Sequence, residues 1–156
     1  MVSARKVIDR FRDTFGDNYF LEVQPFPELE KSEAINTSYA QLSKETGVPL
    51  VVTHDVHYPR PEDYEMQAVL HAVHRGKASV DDAMREWNYK VPMTLPESDN
   101  DLYYRLTETG LERSEAIAAI EMSATIAGRL NVTLPKAEPL RYPATEKDLL
   151  PWRDLA

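Results

Sequence analysis

The stretch Thr53-His54-Asp55-Val56-His57 gathers a carboxylate and two imidazoles directly behind the apolar run Val48-Pro49-Leu50-Val51-Val52. On an extended backbone, alternation puts Asp55 and His57 on one side, about 6.5 Å apart along the chain. A carboxylate and an imidazole so placed can share one divalent ion or hold one each of a pair. His54 points the other way unless the backbone turns. The plainer reading is a polar strand-to-helix loop, and the short D-x-H spacing leaves both open. A stable metal site takes three or four ligands, and this stretch offers two or three.

Other groups are weaker candidates. His71 and His74 lie three apart on a predicted helix, hence on neighbouring faces. They either complete a site or form an exposed or half-buried pair. Tyr103-Tyr104 and Trp87 are either stacking platforms for bases or packing residues. The second fits better, because no basic residues cluster near them. There is no P-loop, dinucleotide fingerprint, G-x-S-x-G or Cys-His pair.

The elements that must position Asp55 and His57 follow from periodicity. Val7, Ile8, Phe11 and Phe15 predict a helix over 3–15 with Ser3 as its cap, broken at Gly16-Asp17-Asn18. Residues 19–23 read as a strand, ended by Pro25 and Pro27, and 28–46 as a helix stopping at Gly47. The apolar run 48–53 has the length and character of a strand buried on both faces of a parallel sheet. Strand, helix, strand is the logic of a βα unit, and its C-terminal end is where α/β proteins place ligands. A further helix is expected over 62–75, with Ala68, Val69, Ala72 and Val73 on its apolar side and Gly76 as its stop. A short extended piece falls between Trp87 and Leu95, interrupted by Pro92. Two more helices follow, over 98–108 and 112–129, with Thr109 and Ser114 as competing starts for the second. From Pro135 prolines recur (Pro139, Pro143, Pro151), which predicts an arm or loose tail. Two strands are too few for a self-sufficient parallel sheet.

The 156 residues fit one domain or a compact piece of a larger one. A net charge of −8 argues against broad binding to nucleic acid, which depends on neutralising phosphates with Lys and Arg. No cysteine is present, so there is no disulfide framework and no thiolate metal site. No run reaches the roughly 18 apolar residues of a membrane helix, and the N-terminus lacks a signal-peptide pattern. A cytoplasmic protein is expected.

From Phe15-Gly16-Asp17 onward the sequence resembles the alpha subunit of bacterial DNA polymerase III, in its PHP (polymerase and histidinol phosphatase) domain. The likeness runs through Tyr19-Phe20-Leu21-Glu22-Val23-Gln24 and then through residues 48–58, where the family reads "lPlVaTNDVHY". Pro61-Glu62-Asp63 and Gly76-Lys77 match the family's "pED" and the end of its helix. Tyr89-Lys90-Val91 and Leu102-Tyr103 follow less tightly, and Glu112 to Asn131 resembles the helix leading out of the domain. The resemblance implies an α/β, helix-rich fold: part of a distorted (β/α)7 barrel, with parallel strands followed by a helical extension. The implied divisions are 1–77 for the PHP-like half, 78–134 for the extension and 135–156 for the arm.

In that family the barrel's C-terminal face holds divalent metals, and some members use it as a proofreading 3′–5′ exonuclease while others keep it as a scaffold. By position, Asp55 and His57 match the last two metal ligands, and His54 stands where the family usually has Asn. The family's upstream ligands, beginning with an H-x-H, and the downstream carboxylates of the polymerase palm are not among these residues. The isolated chain is therefore expected to be non-catalytic and to need no cofactor. Zn, Mn or Mg enters only if another chain completes the site. Whether the chain is an enzyme stays open. Three readings follow for a chain of bacterial or phage origin. It binds a protein partner, such as a replisome component, or itself; it is a separately encoded piece of a split polymerase; or it is a metal-dependent phosphoesterase completed by oligomerisation or a partner. None requires strong binding to nucleic acid by the chain alone or contact with a membrane.

Overall fold

Glycine and proline set the element boundaries in the computed structural model, which describes residues 2–76, 79–86 and 91–136. Helix α1 (Val2–Phe15) ends where Gly16, at φ +55°, opens a single 3-10 turn through Asn18. Because α1 already includes Ser3, that residue belongs to the first turn and is not the cap. Strand β1 (Leu21–Val23) follows, and Pro25 and Pro27, which have no N–H to donate, stop it. Residues 26–32 turn through two short bonds, Leu29 N–H to the Phe26 carbonyl and Ser32 N–H to that of Leu29. Helix α2 therefore starts later than its periodicity suggests, at Ser32, and runs to Thr46. Gly47 closes it in the left-handed region (φ +74°), donating to the Ser43 carbonyl. Strand β2 (Leu50–Val52) completes the unit.

β1 and β2 pair in parallel, Leu21 opposite Leu50 and Val23 opposite Val52. Among the described residues this is the whole sheet. Paired residues share a face. Leu21, Val23, Leu50 and Val52 are all buried, whereas Glu22 is exposed and Val51 half-buried. The expectation of burial on both faces is thus corrected: one face is covered, and the Glu22–Val51 face is open.

The covered face meets Ala40 and Leu42 of α2, Ile8 of α1, and residues from much later in the chain. Helix α5 (Asp99–Glu108) supplies Leu106, and helix α6 (Arg113–Arg129) supplies Ala116 and Ala119, all at 0 % exposure. Alanines on α6 let it approach β2 closely. Ser98 caps α5, accepting from Asp101 N–H at 3.2 Å. α6 is started by Glu112 and Glu115, whose carboxylates bond the backbone reciprocally. That pattern settles the two competing starts, and Thr109 turns its hydroxyl inward. Between the two helices Gly110 sits at φ +85°, where a Cβ would come within 2.8 Å of the Thr37 methyl group.

The middle of the chain departs most from expectation. Residues Pro61–Asp63 form a 3-10 turn leading into α3 (Tyr64–His74). α3 buries Ala68, His71 and Ala72, leaving Met66, Val69, Leu70 and Val73 exposed. Val69 and Val73 are thus on the wrong side of the expected apolar stripe. α3 lies beside the short helix α4 (Val80–Glu86), which periodicity did not suggest, and its small alanines are the apolar residues it buries. Trp87, Tyr89 and Lys90 lie outside the described residues, as do Lys77 and the arm beyond Lys136; from Val91 to Thr94 no strand forms. No helix among the described residues is long and apolar enough to cross a membrane.

Candidate functional site

Residues 53–58 leave the C-terminal end of β2. Thr53 prolongs the ladder by one bond, its N–H donating to the Val23 carbonyl at 3.1 Å, and its hydroxyl donates to the Glu22 carboxylate. Then the chain turns: Val56 N–H reaches back to the His54 carbonyl at 2.7 Å, closing a three-residue turn about Asp55. His57 N–H and Tyr58 N–H both donate to the Met93 carbonyl, at 2.8 and 3.3 Å. Tyr58 itself packs with Phe26, Val91 and Met93 in a second apolar cluster. The loop is thus held at both ends.

Asp55 and His57 are brought together, but by the turn and not by strand alternation. Asp55 Oδ1 lies 3.6 Å from His57 Nδ1, which sits 2.9 Å from the Asp55 backbone carbonyl. An Nδ1–H donated to that carbonyl puts the ring's lone pair on Nε2, the tautomer that ligates a metal through Nε2. A carboxylate beside such an imidazole supplies two donors suited to a divalent cation. Among the described residues, no group of three or more His, Asp or Glu side chains is disposed to hold one. The pair fits such an ion only as part of a larger set.

His54 goes elsewhere, as a turning backbone allows. Its ring meets the edge of Phe26 at 5.0 Å, and it lines a cleft of about 170 Å³ with Thr94, Asp101 and Arg105. Its Nδ1 is buried without a hydrogen-bond partner. Arg105 is fixed there by donating to the Pro25 carbonyl (3.0 Å) and to both oxygens of Glu28 (2.9 and 3.1 Å). Burial, and then the Arg105 charge, hold the His54 pKa below its usual 6.5 against the opposing pull of Asp101, Asp55 and Glu28.

Unfolded His54 binds a proton more readily than folded His54, so its contribution to stability is complete above about pH 6.5 and is lost as pH falls below it. The urea midpoint should therefore drop on acidification from roughly pH 7 to pH 5. His54→Gln should make that decline shallower, and an unchanged slope would remove His54 as a cause.

The remaining candidates stay apart. His71 is buried on α3 and His74 exposed, on neighbouring faces as expected. Burial lowers the His71 pKa, with the Arg75 and His74 charges adding to it. Tyr103 packs against the main core and meets Tyr104 edge-on at 5.3 Å, while Tyr104 is exposed.

Two polar features have no signature in the sequence. Asn36, on α2 and 2 % exposed, donates to the Gln24 carbonyl and to Thr109 Oγ, both at 2.8 Å, and accepts from Gln24 N–H at 3.4 Å. Ser123 on α6 donates to the Val52 carbonyl at 2.7 Å. Each joins residues far apart in the chain, which no local pattern encodes.

Among known proteins, the chain is 32% identical over 140 residues to the DNA polymerase III subunit alpha of Treponema pallidum, covering 84% of this chain and 10% of that protein. The subunit from Deinococcus radiodurans is 29% identical over 160 residues, covering 98% of this chain and 11% of that one. The Aquifex aeolicus subunit is 34% identical over 74 residues, 47% of this chain and 6% of that one. No family model matches the chain, and no solved structure matches it. The chain is thus homologous over most of its length to the DNA polymerase III alpha subunit, a protein of DNA replication, and spans about a tenth of the length of the curated relatives it matches.

Proposed function

We propose that the chain corresponds to the C-terminal half of the PHP domain of the alpha subunit of DNA polymerase III. On this reading it is non-catalytic alone, works in the cytoplasm, and acts in or against DNA replication by binding a protein, with the polymerase or another replisome component as partner. The observation that carries it is the match to the alpha subunit, 32% identical over 84% of the chain. The Asp55–His57 pair supports the family reading: it stands where PHP metal ligands are expected, with the carboxylate 3.6 Å from the imidazole.

After equilibration with Mn²⁺ or Zn²⁺ and desalting at neutral pH, the chain alone should retain well under one ion per molecule. It should leave single-stranded DNA intact. A full equivalent of metal, with hydrolysis that Asp55→Asn abolishes, would replace this reading with a phosphoesterase completed by self-association.

The same homology also fits a second reading, a separately encoded piece of a split replicative polymerase. Adding a polypeptide that carries the rest of the alpha subunit should then restore primer extension. If the two bind without restoring synthesis, the binding reading stands and the split-polymerase reading falls.

A further inference from the structure

Helix α3 is apolar on two faces and buries only one of them. Ala68, His71 and Ala72 are buried against the rest of the fold. Met66, Val69, Leu70 and Val73 lie on the opposite face and are open to solvent, Met66, Leu70 and Val73 by 66, 63 and 73 %. The four recur at helical spacing and cover an arc of roughly 100°, the width of a stripe that packs against another helix. A strand would find nothing to pair with here, because the backbone groups of α3 are bonded within the helix.

The spacing of the stripe also says which helix fits it. About the midpoint between Val69 and Leu70, Met66 and Val73 are equidistant, and so are Val69 and Leu70 themselves. A second copy laid antiparallel therefore sets Met66 of one chain at the level of Val73 of the other. A patch that complements itself in this way is what a two-fold dimer requires.

The charges along α3 have a matching polarity. Glu62, Asp63 and Glu65 stand at its start, and Arg60, beside the first two, offsets one of the three. His74 and Arg75 stand at its end. Antiparallel pairing brings the acidic end of each copy to the basic end of the other and opposes the two helix dipoles. Parallel pairing would set like ends together.

We propose that the Met66–Val69–Leu70–Val73 face of α3 is the interface of a two-fold homodimer in which the two α3 helices pack antiparallel. α3 has 11 residues and is about 16 Å long, so the contact belongs to the small, transient class and associates in the micromolar range.

Light scattering and sedimentation of the full chain between about 10 µM and about 1 mM should show monomer giving way to dimer. Leu70→Glu and Val73→Glu should each raise the dissociation constant about tenfold or more, because each sets a charge in the middle of the apolar contact. Leu134→Glu, at an exposed apolar residue away from α3, should leave it unchanged. Circular dichroism identifies any variant that has lost its fold, and Met66→Lys then stands in for it.

The chain has no cysteine, so an introduced one reports its own position. Oxidising a mixture of Met66→Cys and Val73→Cys chains should give more disulfide-linked dimer than oxidising either variant alone. In the antiparallel pair two copies of the same position lie about 10 Å apart along the helices, beyond the reach of a disulfide.

A chain that stays monomeric across the whole range overturns the proposal and leaves the stripe to a different partner. A dimer that persists in both Leu70→Glu and Val73→Glu overturns it too, since the contact then lies elsewhere. A mixture that crosslinks no better than the single variants removes the antiparallel pairing.

Discussion

Leu106→Ala should lower the unfolding free energy by about 3 kcal/mol, the middle of the range for emptying a fully buried leucine site. Leu106 is 0 % exposed and belongs to the same core as Leu21, Val23, Leu50 and Val52, although more than fifty residues of chain separate it from the nearer strand. Domains of this size are stable by only about 5–15 kcal/mol, so the loss is a large fraction of the total. The urea midpoint at constant m-value measures it. A control at Leu134, which is 85 % exposed, should shift little. Near-identical midpoints for Leu106→Ala and wild type would mean that α5 and α6 do not share the core of the strands.

The second large effect is expected at Asn36. Asn36→Ala strips partners from the Gln24 carbonyl and N–H and from the Thr109 hydroxyl at one stroke. Leaving buried polar groups unpaired costs about 1–3 kcal/mol each in the worst case, and relaxation and water recover part of that. A net loss of about 2–4 kcal/mol follows. Thr109→Val alone should cost less, since Asn36 keeps both its bonds to Gln24, and the Leu106 carbonyl, which loses the hydroxyl, still accepts from the N–H groups of Thr109 and Leu111. Because the two residues share a bond, the double variant should cost less than the sum of the singles. Strict additivity would dissolve the network as a unit.

What the sequence makes legible here is what neighbouring residues decide among themselves. Gly16, Gly47 and Gly76 end helices where expected, each at positive φ, and the strand–helix–strand unit forms with the anticipated parallel pairing. Tertiary choices are not legible in the same way. An apolar run such as 48–53 reads as doubly buried, yet Val51 lies opposite Glu22 on the open face, and that depends on which helices arrive to cover the sheet. α3 carries two overlapping stripes, valine-rich and alanine-rich. Periodicity does not rank them, and in the fold it is the alanine stripe that is buried. At the candidate site, residue types and spacing point to Asp55 and His57, and the structure brings both to one place. The means differ: the bond from Val56 N–H to the His54 carbonyl bends the segment and sends His54 to a separate cleft.

The cover that Ser123 and α6 place on β2 has a consequence for behaviour at high concentration. Strands with two naked sides can pair side by side without limit, which is the geometric basis of fibrils. Among the described residues this sheet has one uncovered edge, at the backbone of Glu22. If two copies meet through it in two-fold fashion, the pairing surface is used up on both, and the assembly is closed. Growth by strand addition would then terminate at a pair instead of running on into a fibre.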